Sequence, residues 1–96
     1  MIALVATLRT NEGKDEQFEA VFREAMAAAK AEEPGCLLYQ LVKSRTEPNT
    51  YKVLELYKDQ DALSVHAKGE KMRAAFGKMG GLLAGRAEID TLDAIV

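Results

Sequence analysis

Residues Tyr51 to His66 read YKVLELYKDQDALSVH, and the change of period inside this stretch decides how the rest of the chain is assembled. From Tyr51 to Lys58 the residues alternate as in a strand. Tyr51, Val53, Glu55 and Tyr57 share one face, and Lys52, Leu54, Leu56 and Lys58 share the other. The middle of the strand is thus apolar on both sides, with a carboxylate set into one of them, as in a strand covered on both faces. Asp59, Gln60 and Asp61 then offer acceptors to the free amides of a helix start, and Ala62, Leu63, Val65 and His66 follow at helical spacing. Glu55 and His66 are therefore expected to approach one pocket, the first from a strand and the second from a helix.

Working outward, Lys43 to Thr50 (KSRTEPNT) is polar, contains Pro48-Asn49 and reads as the turn of a hairpin. Before it, Cys36 to Val42 alternates as a strand, with Leu37, Tyr39 and Leu41 on one face and Cys36, Leu38, Gln40 and Val42 on the other. Ile2 to Leu8 forms another strand that is apolar on both faces and ends at Arg9-Thr10. Between these two strands, Phe18, Val21, Phe22, Ala25, Met26 and Ala29 recur at helical spacing from Lys14 onward, and the helix stops before Pro34-Gly35. Its outer face carries Glu16, Glu19, Arg23, Glu24 and Lys30, charges that solvation explains. Beyond His66, Gly69 interrupts, and Met72, Ala75, Phe76 and Met79 resume an apolar face up to Gly80-Gly81. Arg86 to Val96 returns to a strand in which Ala87 and Ile89, then Leu92, Ala94 and Val96, are expected inward, with a change of phase that predicts a bulge or a crossing between sheet surfaces.

The order strand, helix, strand, strand, helix, strand predicts an α+β fold: a ferredoxin-like βαββαβ antiparallel sheet with its helices on one face. Helices cover one side only, yet three strands are apolar on both. Leu54, Leu56 and their neighbours would leave a large apolar patch in a single copy, so a homodimer through the sheet face is expected.

Length and composition set the remaining bounds. At 96 residues the chain makes a single domain, residues 1–96. A net charge of −2 without basic patches gives no reason to expect a nucleic-acid or membrane partner. The opening MIALVATLR lacks a positive leader, and no stretch approaches the roughly 20 apolar residues of a membrane helix, so a cytoplasmic location is expected. The single cysteine, Cys36, has neither a disulfide partner nor a metal-ligand partner in sequence and reads as a small hydrophobe.

These residues also carry a family resemblance. Arg9 and Gly13 flank the turn after the first strand, and Glu33-Pro34-Gly35-Cys36 followed by Tyr39 enters the second. Glu55-Leu56-Tyr57-Lys58-Asp59 ends the third, and Ala62 and His66 follow on the short helix. In this order and spacing the chain resembles the antibiotic biosynthesis monooxygenase domain over nearly its whole length. The resemblance implies a dimeric α/β barrel and a fold shared with three enzyme groups: cofactor-free monooxygenases of aromatic phenols and quinols, haem-degrading oxygenases, and an isomerase of a phosphorylated signalling sugar. Fold alone does not choose among these chemistries. The chain also departs from the pattern. Tyr57 stands where many members carry tryptophan, Lys71 where many carry a second histidine, and Thr7 nearest the asparagine of the haem-degrading relatives. Haem is therefore disfavoured, and no cofactor or metal is expected.

Each candidate residue carries two readings. His66 is a general base for a phenol or a helix histidine bonded to a backbone carbonyl. Glu55 is a proton carrier, with a raised pKa or orienting His66, or else a carboxylate paired with an arginine or lysine. Tyr39 and Tyr57 place hydroxyls toward a substrate or simply pack. Lys71 and Arg73 attract an anionic substrate or are solvated helix charges. Three functions follow: a cofactor-independent monooxygenase acting with oxygen on a phenol, quinol or polyketide-like substrate; an isomerase or other proton-transfer enzyme on a phosphorylated or sugar-like metabolite; or a non-enzymatic ligand-binding stress-response dimer.

Overall fold

Alternating apolar residues at both ends of the chain and in its middle produce four strands, and the intervening periodic stretches produce three helices. The computed structural model describes residues 1–96, in the order β1 (Ile2–Arg9), α1 (Asp15–Glu32), β2 (Cys36–Lys43), β3 (Thr50–Tyr57), α2 (Gln60–Lys68), α3 (Glu70–Gly77) and β4 (Glu88–Asp93). The strands form one antiparallel sheet in the order β2-β3-β1-β4, which is the ferredoxin-like arrangement expected from the element order.

Registers assign the faces. Leu4 pairs with Glu55, Ala6 with Val53 and Leu8 with Tyr51, and this side of β1 and β3 is buried beneath the helices. Phe18, Phe22, Ala25 and Ala29 of α1 and Met72 and Ala75 of α3 complete the core. The opposite side carries Val5, Leu54 and Leu56 in the central strands and Leu38, Val42 and Leu92 toward the edges. Leu38, Val42 and Leu92 are 44, 37 and 50% exposed in the single chain. No helix is long and apolar enough to cross a membrane.

Capping follows the sequence signals. Asp59 accepts a bond from the Ala62 amide at 2.9 Å and starts α2. Gly69, with ψ of 132°, is extended and separates α2 from α3. The helix predicted after Lys14 ends at Glu32, one residue before its C-cap, Glu33.

Two strand assignments change. Register shifts between Cys36 and Leu38, so Leu37 is an extra residue in a β-bulge; Cys36 pairs with Tyr57 and Tyr39 with Glu55. Cys36 thus joins Tyr39 on the helix side, and Leu37 is 51% exposed. β4 runs without the expected change of phase: Ile89 pairs with Ala6 on the helix side and Leu92 with Ala3 on the outer side. Its apolar residues serve two faces of one edge strand.

Candidate functional site

The end of α1, the middle of β3 and the last turn of α2 meet at one point because the chain between them is small and pinned. The Glu33 amide donates to the Ala29 carbonyl at 3.0 Å, and the Glu33 carbonyl accepts from the Cys36 amide at 3.0 Å, which fixes Glu33 between helix and strand. Gly35 then passes so close to α2 that a Cβ there would lie 2.5 Å from the Ala62 Cβ. Only glycine permits that approach, and it brings α2 down over the end of α1.

Across this junction His66 Nδ1 lies 2.8 Å from Glu33 Oε1, while His66 Nε2 lies 3.7 Å from Glu55 Oε1. The Tyr57 hydroxyl donates to Glu55 Oε1 at 2.6 Å. All four side chains are buried: Glu33, Glu55 and His66 are 6, 8 and 6% exposed, and Tyr57 is fully covered. Around the imidazole stand Tyr39 and Tyr57, with ring centroids 5.1 and 5.2 Å away, and Phe76 at 6.0 Å.

Burial pushes the Glu55 carboxyl above its ordinary value; the Tyr57 hydroxyl and His66 draw it back, and Glu33 pushes it further up. Burial likewise raises the Tyr39 and Tyr57 phenols, reinforced by the neighbouring carboxylates, so both are proton donors at neutral pH and not bases. Cys36 is pushed up to about 11, first by burial and then by Glu33 and Glu55, which keeps it a thiol and not a reactive thiolate. In the tautomer that donates from Nδ1 to Glu33, Nε2 keeps its lone pair and faces Glu55.

That side opens into a cavity of about 480 Å³ between the sheet and the α2–α3 layer. Thirteen of its 16 lining residues are hydrophobic, among them Leu4, Phe22, Val53, Leu63, Phe76 and Ile89. Its ionisable lining is confined to Glu55, His66 and Tyr39, and no lysine or arginine reaches it. The arrangement can hold a flat apolar molecule with one hydroxyl directed at the polar end, where an imidazole can accept its proton.

Among the residues expected from the sequence, Glu55, His66 and Tyr39 come together on the cavity wall. Within the chain, His66 bonds a carboxylate and not a backbone carbonyl, and Glu55 meets Tyr57 and His66 and not a lysine or arginine of the helices. Tyr39 stacks on Phe22 at 5.3 Å and places its hydroxyl 3.8 Å from the Met72 sulfur. Tyr57 stands behind Glu55 and does not line the cavity, so it acts on the site through that carboxylate. Lys71 is not brought to the site: it is exposed on α3 and pairs with Glu32 at 3.2 Å. Gly69 ends α2 between His66 and Lys71, so Lys71 rises from a different helix than His66. Arg73 is exposed on the same helix. Glu33 was not among the residues singled out for chemistry, although it continues the buried stripe Phe18, Phe22, Ala25, Ala29 by one further turn.

The family model for antibiotic biosynthesis monooxygenase matches residues 1–78. A solved structure of a candidate antibiotic biosynthesis monooxygenase from Caulobacter crescentus CB15 is 47% identical, superposes with a TM-score of 0.96, and is matched over 99% of this chain and 90% of its own. A Pseudomonas aeruginosa protein is 28% identical, with a TM-score of 0.86 over 99% of this chain and 94% of its own. A Nitrosomonas europaea protein, 15% identical, has a TM-score of 0.91 over the full length of both chains, a likeness of fold. Among curated proteins, an uncharacterised Synechocystis protein is 27% identical over 88 residues, and the match spans 92% of this chain but 59% of that protein.

Proposed function

Because the chain belongs to the antibiotic biosynthesis monooxygenase family, we propose that it is a cofactor-independent monooxygenase of small aromatic phenols or quinols, with His66 as the base. The observation that carries this reading is the cavity: apolar nearly throughout, with Glu55, His66 and Tyr39 as its only ionisable groups. A substrate hydroxyl held at Nε2 gives up its proton, and the resulting electron-rich ring reduces oxygen directly. For a substrate with a ring methylene conjugated to that hydroxyl, both methylene C–H bonds break. One oxygen atom becomes the new carbonyl and the other leaves as water, so electrons balance without an external reductant. The protein contributes a base, orientation and a dry wall. Tyr39, fixed by Phe22 and protonated, borders the same space.

The same lining weighs against an isomerase of a phosphorylated sugar. A phosphate in this cavity would find no cation and would stand against Glu55. Oxygen uptake with a panel of quinols and anthrones tests the choice. Uptake matched by carbonyl product supports the monooxygenase; proton exchange on a phosphorylated sugar without oxygen consumption overturns it, and ligand binding without turnover returns the chain to a non-enzymatic binder.

The working unit we propose is a homodimer joined through the outer face of the sheet, where Leu38, Leu54, Leu56 and Leu92 await a cover. Leu56→Asp should dissociate it, since a charge there has no partner, while Phe18→Leu, a core swap costing less than about 1.5 kcal/mol, should not. Sedimentation of the wild type as a folded 10.5 kDa monomer at micromolar concentration rules the dimer out.

A further inference from the structure

Glu33 belongs to two surroundings at once. Its carboxylate holds His66 Nδ1 at 2.8 Å, on the side of the ring away from the cavity. It also lines a separate groove of about 400 Å³ on the outside of the α1–β2 junction, whose walls include the exposed residues Lys30, Leu37 and Gln40. His66 lines the inner cavity and not the groove, and Glu33 lines the groove and not the cavity. The hydrogen-bonded pair therefore stands between the apolar cavity and the groove, and Glu33 is the only carboxylate on the groove side. The other titratable groups packed around it cannot serve: Cys36 and Tyr39 of β2 and Tyr57 of β3 keep their protons at neutral pH, and Glu55 faces the opposite nitrogen.

We propose that Glu33 is a positioning residue for His66 and the outer end of a proton conduit that runs from the cavity through the imidazole to the groove. The inference rests on the reading of His66 as the base. In the outward direction the substrate O–H bond breaks as the Nε2–H bond forms. The Nδ1–H bond then breaks as a Glu33 O–H bond forms, and that proton passes to water in the groove. The bound substrate is left as an anion, the ring neutral with its hydrogen on Nε2, and one proton has reached solvent. The reverse sequence restores the Nδ1–H form when the reaction needs a proton back. No other carboxylate offers this route, because Glu55 lines the cavity and not the groove.

His66 is the only histidine in the chain, so its ring signals in a ¹⁵N spectrum need no assignment. The wild type should show the neutral ring protonated on Nδ1, with that hydrogen exchanging with water through Glu33. Glu33→Gln keeps an oxygen acceptor at Nδ1 but cannot take up a proton. It should leave the sheet amide spectrum intact, slow Nδ1–H exchange about tenfold or more, and lower kcat by a similar factor with KM unchanged. Small diffusible bases such as acetate should restore that kcat, and Glu33→Asp should recover part of the exchange rate. Equal exchange rates in the wild type and Glu33→Gln overturn the conduit, as does a kcat loss that no buffer relieves. A wild type that turns over no quinol while the exchange difference persists overturns the monooxygenase reading alone and leaves the conduit standing.

Discussion

Two clusters of acids and tyrosines sit at opposite ends of the sheet's helix side, and they differ in what neutralises them. At the end where β1 finishes and β3 begins, Asp15 accepts from the Thr10 hydroxyl and from Lys43 at 2.9 Å, the Tyr51 hydroxyl donates to Glu19, and Lys43 lies 5.4 Å above the Tyr51 ring. The lysine is half exposed, and Thr10 and Lys43 hold the Asp15 carboxyl below its ordinary value. At the other end Glu33, Glu55 and Tyr57 surround a histidine with no lysine or arginine in contact, and burial raises the Glu55 carboxyl. The first cluster is a matched ion pair that fastens the β2–β3 hairpin to the start of α1. The second is an unbalanced one, and imbalance next to a cavity is what acid–base chemistry needs.

The sharpest way to break this contrast is to remove the histidine. His66→Ala should leave the fold intact and cut turnover by roughly 10²–10⁴, mostly in kcat, with a substrate already ionised at the assay pH affected least. Steady-state kinetics across pH check this, and an active variant with an unchanged pH profile would return His66 to a packing role.

A second contrast is in the sign of the stability change. The folded-state pKa of Glu55 is raised above the ordinary 4.5, so the folded chain holds this proton more tightly than the unfolded one. The stability this contributes is complete below pH 4.5 and is lost as pH rises through the raised value. Glu55→Gln, which still accepts from Tyr57, should therefore match the wild type in Tm at pH 4 and exceed it at pH 8, while lowering kcat less than His66→Ala does. A Tm difference independent of pH would show that burial does not disfavour the charged form. In the matched cluster the same kind of change does the opposite: Tyr51→Phe deletes a bond from a buried hydroxyl and should lower stability by about 1 kcal/mol at neutral pH, measured by urea unfolding. The smallest effect belongs to Lys43→Met, since its ion pair is open to water; a Tm change larger than that of Tyr51→Phe would contradict the solvated reading of this pair.

Local periodicity was enough for the order of strands and helices, the three strands apolar on both faces and the approach of Glu55 and His66, because each is written in neighbouring residues. What escaped depends on partners distant in sequence. The extra residue at Leu37 exists only in the pairing of β2 with β3, and it moves Cys36 to the face opposite the one alternation assigns. Lys71 was singled out by the family position of a second histidine, and its partner, Glu32, lies far back in sequence on α1. Glu33 was legible as the next step of the α1 stripe, but Pro34 read as a helix stop, and a charged residue at a stop reads as solvated until α2 closes over it.

Glu33 has one more consequence, for anyone wishing to make the chain hardier. It is the C-cap of α1, where the carbonyls of the last turn already concentrate partial negative charge and where Lys30 supplies the only basic side chain of that turn. A carboxylate is the wrong sign for that position, and a neutral residue there should tighten the helix end. Since His66 still needs an acceptor at Nδ1, the neutral replacement a library screened for heat resistance alone will favour is Glu33→Gln, which keeps that bond but cannot take up its proton.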